Sequence, residues 1–156
     1  PAELILKTSN GEPRLMSYES LADGGFATGT MLGSGGFIVM DEDTSIVKNL
    51  WTFTRFYHHE SCGQCSPCRE GTGWMEKILH KILDGHGSST DIDLLWDIQR
   101  KIEGNTICPL GDAAAWPVAS AIRHFRHEFE AYVNNPKLQH VVSYYDHCHN
   151  LATAEV

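Results

Sequence analysis

At 156 residues, 42% hydrophobic and 21% charged, the chain has the composition of one globular domain of ordinary size, or one plus part of another. A formal net charge of −8 argues against nucleic acid or an anionic membrane surface as the main partner, and no apolar run approaches the length of a membrane span. Five cysteines, an odd number, and no secretory leader argue against a disulfide framework and for a reducing compartment such as the cytoplasm.

The chain starts at Pro1 with no initiator Met and is therefore read as part of a longer protein. Residues 1–43 are expected to be rich in strands and loops. Leu4-Ile5-Leu6 is a short strand candidate, and Thr8 to Pro13 is dense in turn formers. The glycine-rich stretch from Gly24 to Gly36 leads into the apolar run Phe37-Ile38-Val39-Met40. It carries neither G-x-G-x-x-G nor a Walker loop, so turns and a bulge in a small sheet are the better reading than a phosphate cradle. So few strands bury little surface alone, and the segment reads as part of a domain.

From Asp41 the apolar period becomes helical. Asp43 or Thr44 is the expected cap of a helix carrying Ile46, Val47, Leu50, Trp51, Phe53 and Tyr57 and ending near His59. Pro67 suits the first turn of a second helix, with Trp74, Ile78, Leu79, Ile82 and Leu83 as its apolar stripe and Gly85 as its stop. A third starts around Ser88-Ser89-Thr90 with Asp91 or Asp93 at its positive end, and stops at Gly104. Asp112 is the expected cap of the longest helix, with Pro117 bending its first turns and Val118, Ile122, Phe125, Phe129, Tyr132 and Val133 facing the core. The sum is a four-helix bundle over about 44–135, followed by a tail, 136–156.

Between the first two helices lies Glu60-Ser61-Cys62-Gly63-Gln64-Cys65-Ser66-Pro67-Cys68-Arg69-Glu70-Gly71, and before the fourth lies Cys108-Pro109. A C-x2-C-x2-C triplet plus one remote Cys is a spacing that 4Fe–4S clusters use, and a Cys-Pro pair also closes the bacterial ferredoxin run. Structural zinc usually takes two C-x2-C pairs, or one pair with histidines, and here the triplet would leave a thiolate over. Buried free thiols are the third reading, but three cysteines among Gly, Ser and Pro do not form a core stripe. The spacing thus favours Cys62, Cys65, Cys68 and Cys108 as ligands of a 4Fe–4S cluster. Such a cluster is formally −2 oxidised and −3 reduced, so a helix N-terminus following the triplet and a nearby Arg69 would both suit its charge.

The other polar residues have plainer readings. His58 and His59 are expected to hydrogen-bond or face solvent, since four cysteines complete the ligand set. Trp51, Trp74, Trp96 and Trp116 are expected in the core. His147-Cys148-His149 belongs to the tail, and Arg123, His124, Arg126 and His127 form a basic patch on the last helix, either a docking face or a solvated one. No nucleophile–base or zinc-hydrolase pattern is present, and a cluster bound by four cysteines has no open position for substrate.

The cysteine loop resembles the cluster loop of the flavoprotein (F) subunits of respiratory complex I, the NADH:quinone oxidoreductase. Glu103-Gly104-Asn105-Thr106-Ile107-Cys108-Pro109-Leu110-Gly111-Asp112, with Ala114-Ala115-Trp116-Pro117, resembles that family's second signature. The resemblance runs from about Gly24 to Val133. It implies an α+β chain, in which a small remnant of a β-grasp (SLBB-like) domain over 1–43 precedes a four-helix bundle carrying the cluster on Cys62, Cys65, Cys68 and Cys108. It also implies electron flow from NADH-reduced FMN, bound by an upstream domain of this or another chain, through the cluster. The implied partners are a thioredoxin-like 2Fe–2S subunit and a large iron–sulfur subunit, in a peripheral arm on the cytoplasmic or mitochondrial-matrix face of an energy-transducing membrane, without membrane insertion. No residue here matches the family's flavin or NADH site. Arg69 is a candidate for stabilising the reduced cluster. A diaphorase subunit of an NAD-linked hydrogenase or formate dehydrogenase shares the triplet and the bundle, and a zinc-stapled docking module is the non-enzymatic alternative.

Overall fold

The structure, a computed structural model, describes residues 33, 35–36, 38–41 and 43–135. The expected β-grasp remnant falls, but for a few residues, outside the described residues, and so does the tail with His147, Cys148 and His149. Among the described residues there are four helices and no strand: α1 Ile46–Glu60, α2 Ser66–Leu83, α3 Ser89–Ile102 and α4 Leu110–Asn134.

Local chemistry sets most of the helix ends. The start of α1 is capped by Ser45, one residue beyond Thr44 and two beyond Asp43, the expected caps, and its hydroxyl accepts the Lys48 N–H at 3.4 Å. The end of α2 is a Schellman turn, with the His86 N–H on the Lys81 carbonyl and the Gly85 N–H on the Ile82 carbonyl. Ser88 begins α3, and the Asp91 carboxylate accepts both its N–H and its hydroxyl at 2.7 Å.

The helices alternate in direction. α2 and α4 each touch all three of the others, so they occupy the short diagonal of the bundle. Both start at the end where α1 and α3 finish. At the opposite end Ser45 meets the Tyr132 hydroxyl at 3.0 Å, closing α1 against the last turns of α4. The core is formed by Val47 and Leu50 of α1, Met75, Leu79 and Ile82 of α2, Ile92, Leu95 and Ile102 of α3, and Val118 and Phe129 of α4. Burying a side chain as fully as Phe129 contributes about 1.5–3 kcal/mol.

Two further expectations are corrected here. Trp74 and Trp116 are not core residues, being 54% and 43% exposed, because α2 turns Cys68, Thr72, Met75 and Leu79 inward and leaves Trp74 on the opposite face. Pro117 does not mark the bend in α4. The residue off helical geometry is Phe125 (φ −128°, ψ 26°), where the helix redirects Arg126 to Asp93 and Glu128 to the start of α1. Pro117 sits in the second turn and keeps helical dihedrals.

Candidate metal centre

The triplet occupies the turn from α1 to α2. Ser61 closes α1, giving its N–H to the Tyr57 carbonyl at 3.1 Å. Gly63 then takes φ +79°, a left-handed conformation costly for any residue with a Cβ, and this reverses the chain inside the ligand run. Cys65 becomes the N-cap of α2, with Pro67 in the first turn where a missing N–H costs nothing. Cys68 lies inside that first turn and is buried. Its carbonyl accepts the Thr72 hydroxyl at 2.7 Å, and its Sγ lies 3.2 Å from Ser61 Oγ.

Arg69 straps this loop. Its Nη1 donates to the Gly63 carbonyl at 2.7 Å and its Nε to Glu70 Oε1 at 2.8 Å. The guanidinium is thus half-exposed and shares its charge with a neighbouring carboxylate.

The second loop is cross-braced by its own residues. Gly104, at φ +71°, ends α3 and donates its N–H to Asp112 Oδ1 at 2.7 Å. Asp112 therefore does not cap α4 as expected. Pro109 holds that position, its carbonyl accepting the Ala113 N–H at 2.8 Å, and Asp112 in the first turn reaches back to the preceding loop. Trp116 Nε1 donates to Glu103 Oε1 at 2.9 Å, which is why this indole stays at the surface. The Thr106 hydroxyl donates to the Cys108 carbonyl at 2.9 Å, and its side chain fills the space beside Gly111, where a Cβ would come within 2.5 Å of it.

One bond joins the two loops: the Ile107 N–H points at Cys65 Sγ, 3.4 Å away. It brings the residue before Cys108 to the middle cysteine of the triplet. Cys62 and Cys108 are exposed, Cys65 is half-buried and Cys68 is buried, and none of the four is in a disulfide. Among the described residues no three His, Cys, Asp or Glu side chains converge on a single ion. The residues present fit a 4Fe–4S cluster, in which each thiolate takes a separate iron. Four thiols come from two adjoining loops, two helix N-termini open onto them, and an N–H and an O–H lie within reach of two of the sulfurs.

The nearby histidines are engaged elsewhere: His58 Nδ1 meets Glu76 at 2.6 Å and His59 Nδ1 meets Glu60 at 2.9 Å. The His58 ring also lies against Gly73, where a Cβ would come within 2.9 Å of it. Arg126 is held by Asp93 and Glu130, and Arg123 stacks over Trp96, so half of the basic patch is bound within the bundle. Sequence reasoning did not find Ser61, Thr106, the Glu103–Trp116 bond or the Ile107 amide. A hydroxyl residue directly before the first cysteine was the available signal for Ser61.

Comparison with known proteins is consistent with this geometry. The NADH-ubiquinone oxidoreductase-F iron-sulfur binding region matches residues 48–132. An NADH-quinone oxidoreductase F subunit of Rhizobium meliloti (strain 1021) is 48% identical over 116 residues, covering 74% of this chain and 26% of that protein. Its counterpart in Rickettsia bellii (strain OSU 85-389) is 47% identical over 127 residues, covering 81% of this chain and 30% of its own. The chain thus spans under a third of the length of these curated relatives. Among solved structures, an NAD+-reducing NiFe-hydrogenase in the H2-reduced state aligns with a TM-score of 0.58 and 36% identity, covering 61% of this chain and 17% of that one.

Proposed function

The chain belongs to the NADH-ubiquinone oxidoreductase-F iron-sulfur binding family, and from that premise we propose that it is the electron-transfer module of an NADH:quinone oxidoreductase. Cys62, Cys65, Cys68 and Cys108 hold its 4Fe–4S cluster. Electrons arrive from NADH-reduced FMN on an upstream domain and leave towards a large iron–sulfur subunit, with a thioredoxin-like 2Fe–2S subunit as a further partner. The module works in the peripheral arm, on the cytoplasmic or matrix face of the membrane. No helix among the described residues is long and apolar enough to cross a membrane. In domain terms, 1–43 ends a β-grasp (SLBB-like) domain, 44–135 is the iron–sulfur domain and 136–156 is a tail.

The observation that carries the reading is the Ile107 N–H on Cys65 Sγ, which joins the two ligand loops. When bound, the cluster supplies a one-electron carrier with sulfur on every iron. The chain's own residues do the rest. Gly63 and Arg69 fix the triplet's turn, Thr106 and Asp112 fix the Cys108 loop, and the starts of α2 and α4 present free N–H groups to a negative charge. A second reading, a diaphorase subunit of an NAD+-reducing hydrogenase, is supported by the structural likeness at 36% identity. The quinone-oxidoreductase relatives, at 47–48%, favour the first.

The test is visible and EPR spectroscopy of the anaerobically purified chain, with iron and sulfide analysis. A reduced cluster signal after dithionite, with about four irons per chain, is expected. Zinc is silent in both spectra, and a colourless zinc-loaded protein would overturn the reading. The chain holds no G-x-G-x-x-G or Walker loop, so NADH alone is expected to leave the absorbance unchanged until the flavin-bearing segment is supplied.

A further inference from the structure

We propose that Ser61 is a positioning residue that raises the reduction potential of the cluster by donating its hydroxyl proton to Cys68, the one buried ligand sulfur. The proposal rests on the reading above that Cys68 is a ligand.

Ser61 is held by the end of α1. Its backbone N–H is tied to the Tyr57 carbonyl at 3.1 Å as the closing residue of α1, so the hydroxyl is carried by a helix end and not by a free loop. Its Oγ stands 3.2 Å from Cys68 Sγ and accepts the Gly63 N–H at 3.4 Å. In the free thiol either Ser61 or Cys68 is able to donate. Once Cys68 is a thiolate it has no proton, and the serine hydroxyl is the only donor left in the pair. The Gly63 N–H occupies one lone pair of the oxygen, which leaves the hydroxyl hydrogen to the sulfur.

The four ligands are not equivalent towards such a bond. Cys62 and Cys108 are exposed, so water supplies hydrogen bonds to their sulfurs whatever the neighbouring side chains do. Cys65 receives the Ile107 amide, which side-chain substitution does not remove. Cys68 is only 6% exposed, and a donor deleted there is not replaced by solvent. Hydrogen bonds to a charged acceptor away from water are the stronger ones. Reduction adds one electron and one negative charge to the cluster and its sulfurs, so the Ser61 bond strengthens in the reduced state, and hydrogen bonds to sulfur are among the terms that set the potential. The hydroxyl keeps its proton throughout. In a titration the electron comes from dithionite, and no other bond forms or breaks.

The experiment is an EPR-monitored redox titration of the iron-loaded 156-residue chain and of Ser61→Ala and Ser61→Thr, with iron and sulfide measured on each. Ser61→Ala is expected to keep the parent's iron and show a midpoint shifted to more negative values, and Ser61→Thr, which keeps the hydroxyl, to stay close to the parent. An unmoved midpoint in iron-replete Ser61→Ala overturns the role of Ser61 while leaving the ligand set standing. Loss of iron from Ser61→Ala with retention in Ser61→Thr places the hydroxyl in assembly and overturns it equally. A parent chain that takes up no iron removes the ligand reading and this proposal together.

Discussion

Glu128, in the second half of α4, accepts the backbone N–H of Ile46, the first residue of α1, at 3.0 Å across 82 positions of sequence. A carboxylate at that point satisfies one of the four N–H groups a helix start leaves open, and its charge lies at the positive end of the helix dipole. Local capping by Ser45 is thereby doubled by a tertiary one. Glu128→Ala is expected to lower stability by about 1 kcal/mol, read as a lower urea midpoint at an unchanged slope. Iron content should be unaffected, since the contact lies at the end of the bundle away from the cysteines. A variant with the parent's midpoint would show the contact contributes nothing.

Asp91 gives the bundle a pH dependence of known sign. Burial pushes its carboxyl pKa up, but the hydrogen bonds from Lys81 and Ser88, with the Lys81 charge, outweigh this and hold it below the ordinary carboxylate range. A depressed folded-state pKa stabilises above the unfolded value, near 3.9, and is lost as pH falls through the folded value. Asp91→Asn is therefore expected to be less stable than the parent by about 2 kcal/mol above pH 5, with the gap closing below about pH 4. Urea unfolding of both proteins at pH 7, 5 and 3 measures it. Lys81 is half-exposed, so water screens part of its contribution. A gap that stays constant down to pH 3 would remove the assignment.

The ligand set is open to direct removal. Cys68→Ala and Cys108→Ala should each lose most of the bound iron and unfold well below the parent, because a site formed only on folding turns binding energy into folding energy. Cys148→Ala, outside the proposed set, should keep both. Iron analysis and thermal scans under anaerobic conditions decide it. Four irons and an unchanged midpoint in Cys108→Ala would sink the assignment.

Arg69 is expected to favour the reduced cluster through its charge. About 1 kcal/mol of Coulomb attraction corresponds to roughly 40 mV for one electron. Pairing with Glu70 and partial exposure dilute the effect, so Arg69→Gln should move the midpoint negative by on the order of tens of millivolts. Arg69 also straps the Gly63 carbonyl, and Arg69→Lys separates the two roles. Lysine keeps the charge without the fork, and its midpoint should remain near the parent's even if iron uptake falls.

What was legible in the sequence was what neighbouring residues decide among themselves. The spacing of Cys62, Cys65 and Cys68 is a property of one loop, and the stops at Gly85 and Gly104 and the start at Ser88 are local backbone chemistry. The errors came where a distant element chose. Trp74 has the spacing of an apolar stripe, yet the face α2 buries is set by its neighbours, and Trp116 is drawn to the surface by Glu103. Asp112 looked like a cap because an acid at a helix start usually is one, while its acceptor role was claimed by the turn after α3. The bend at Phe125 accompanies contacts to α1 and α3 that no window of α4 contains.

The parallel course of α2 and α4 has an electrostatic consequence of its own. Each helix carries about half a positive charge at its start, and here two such like poles open onto one another in adjoining loops. Packing along their length holds together ends that repel. A cluster held by the four cysteines would carry negative charge, which both helix starts would attract and which would offset their mutual repulsion. Added salt, which screens exposed charge, should accordingly steady the iron-free protein more than the loaded one.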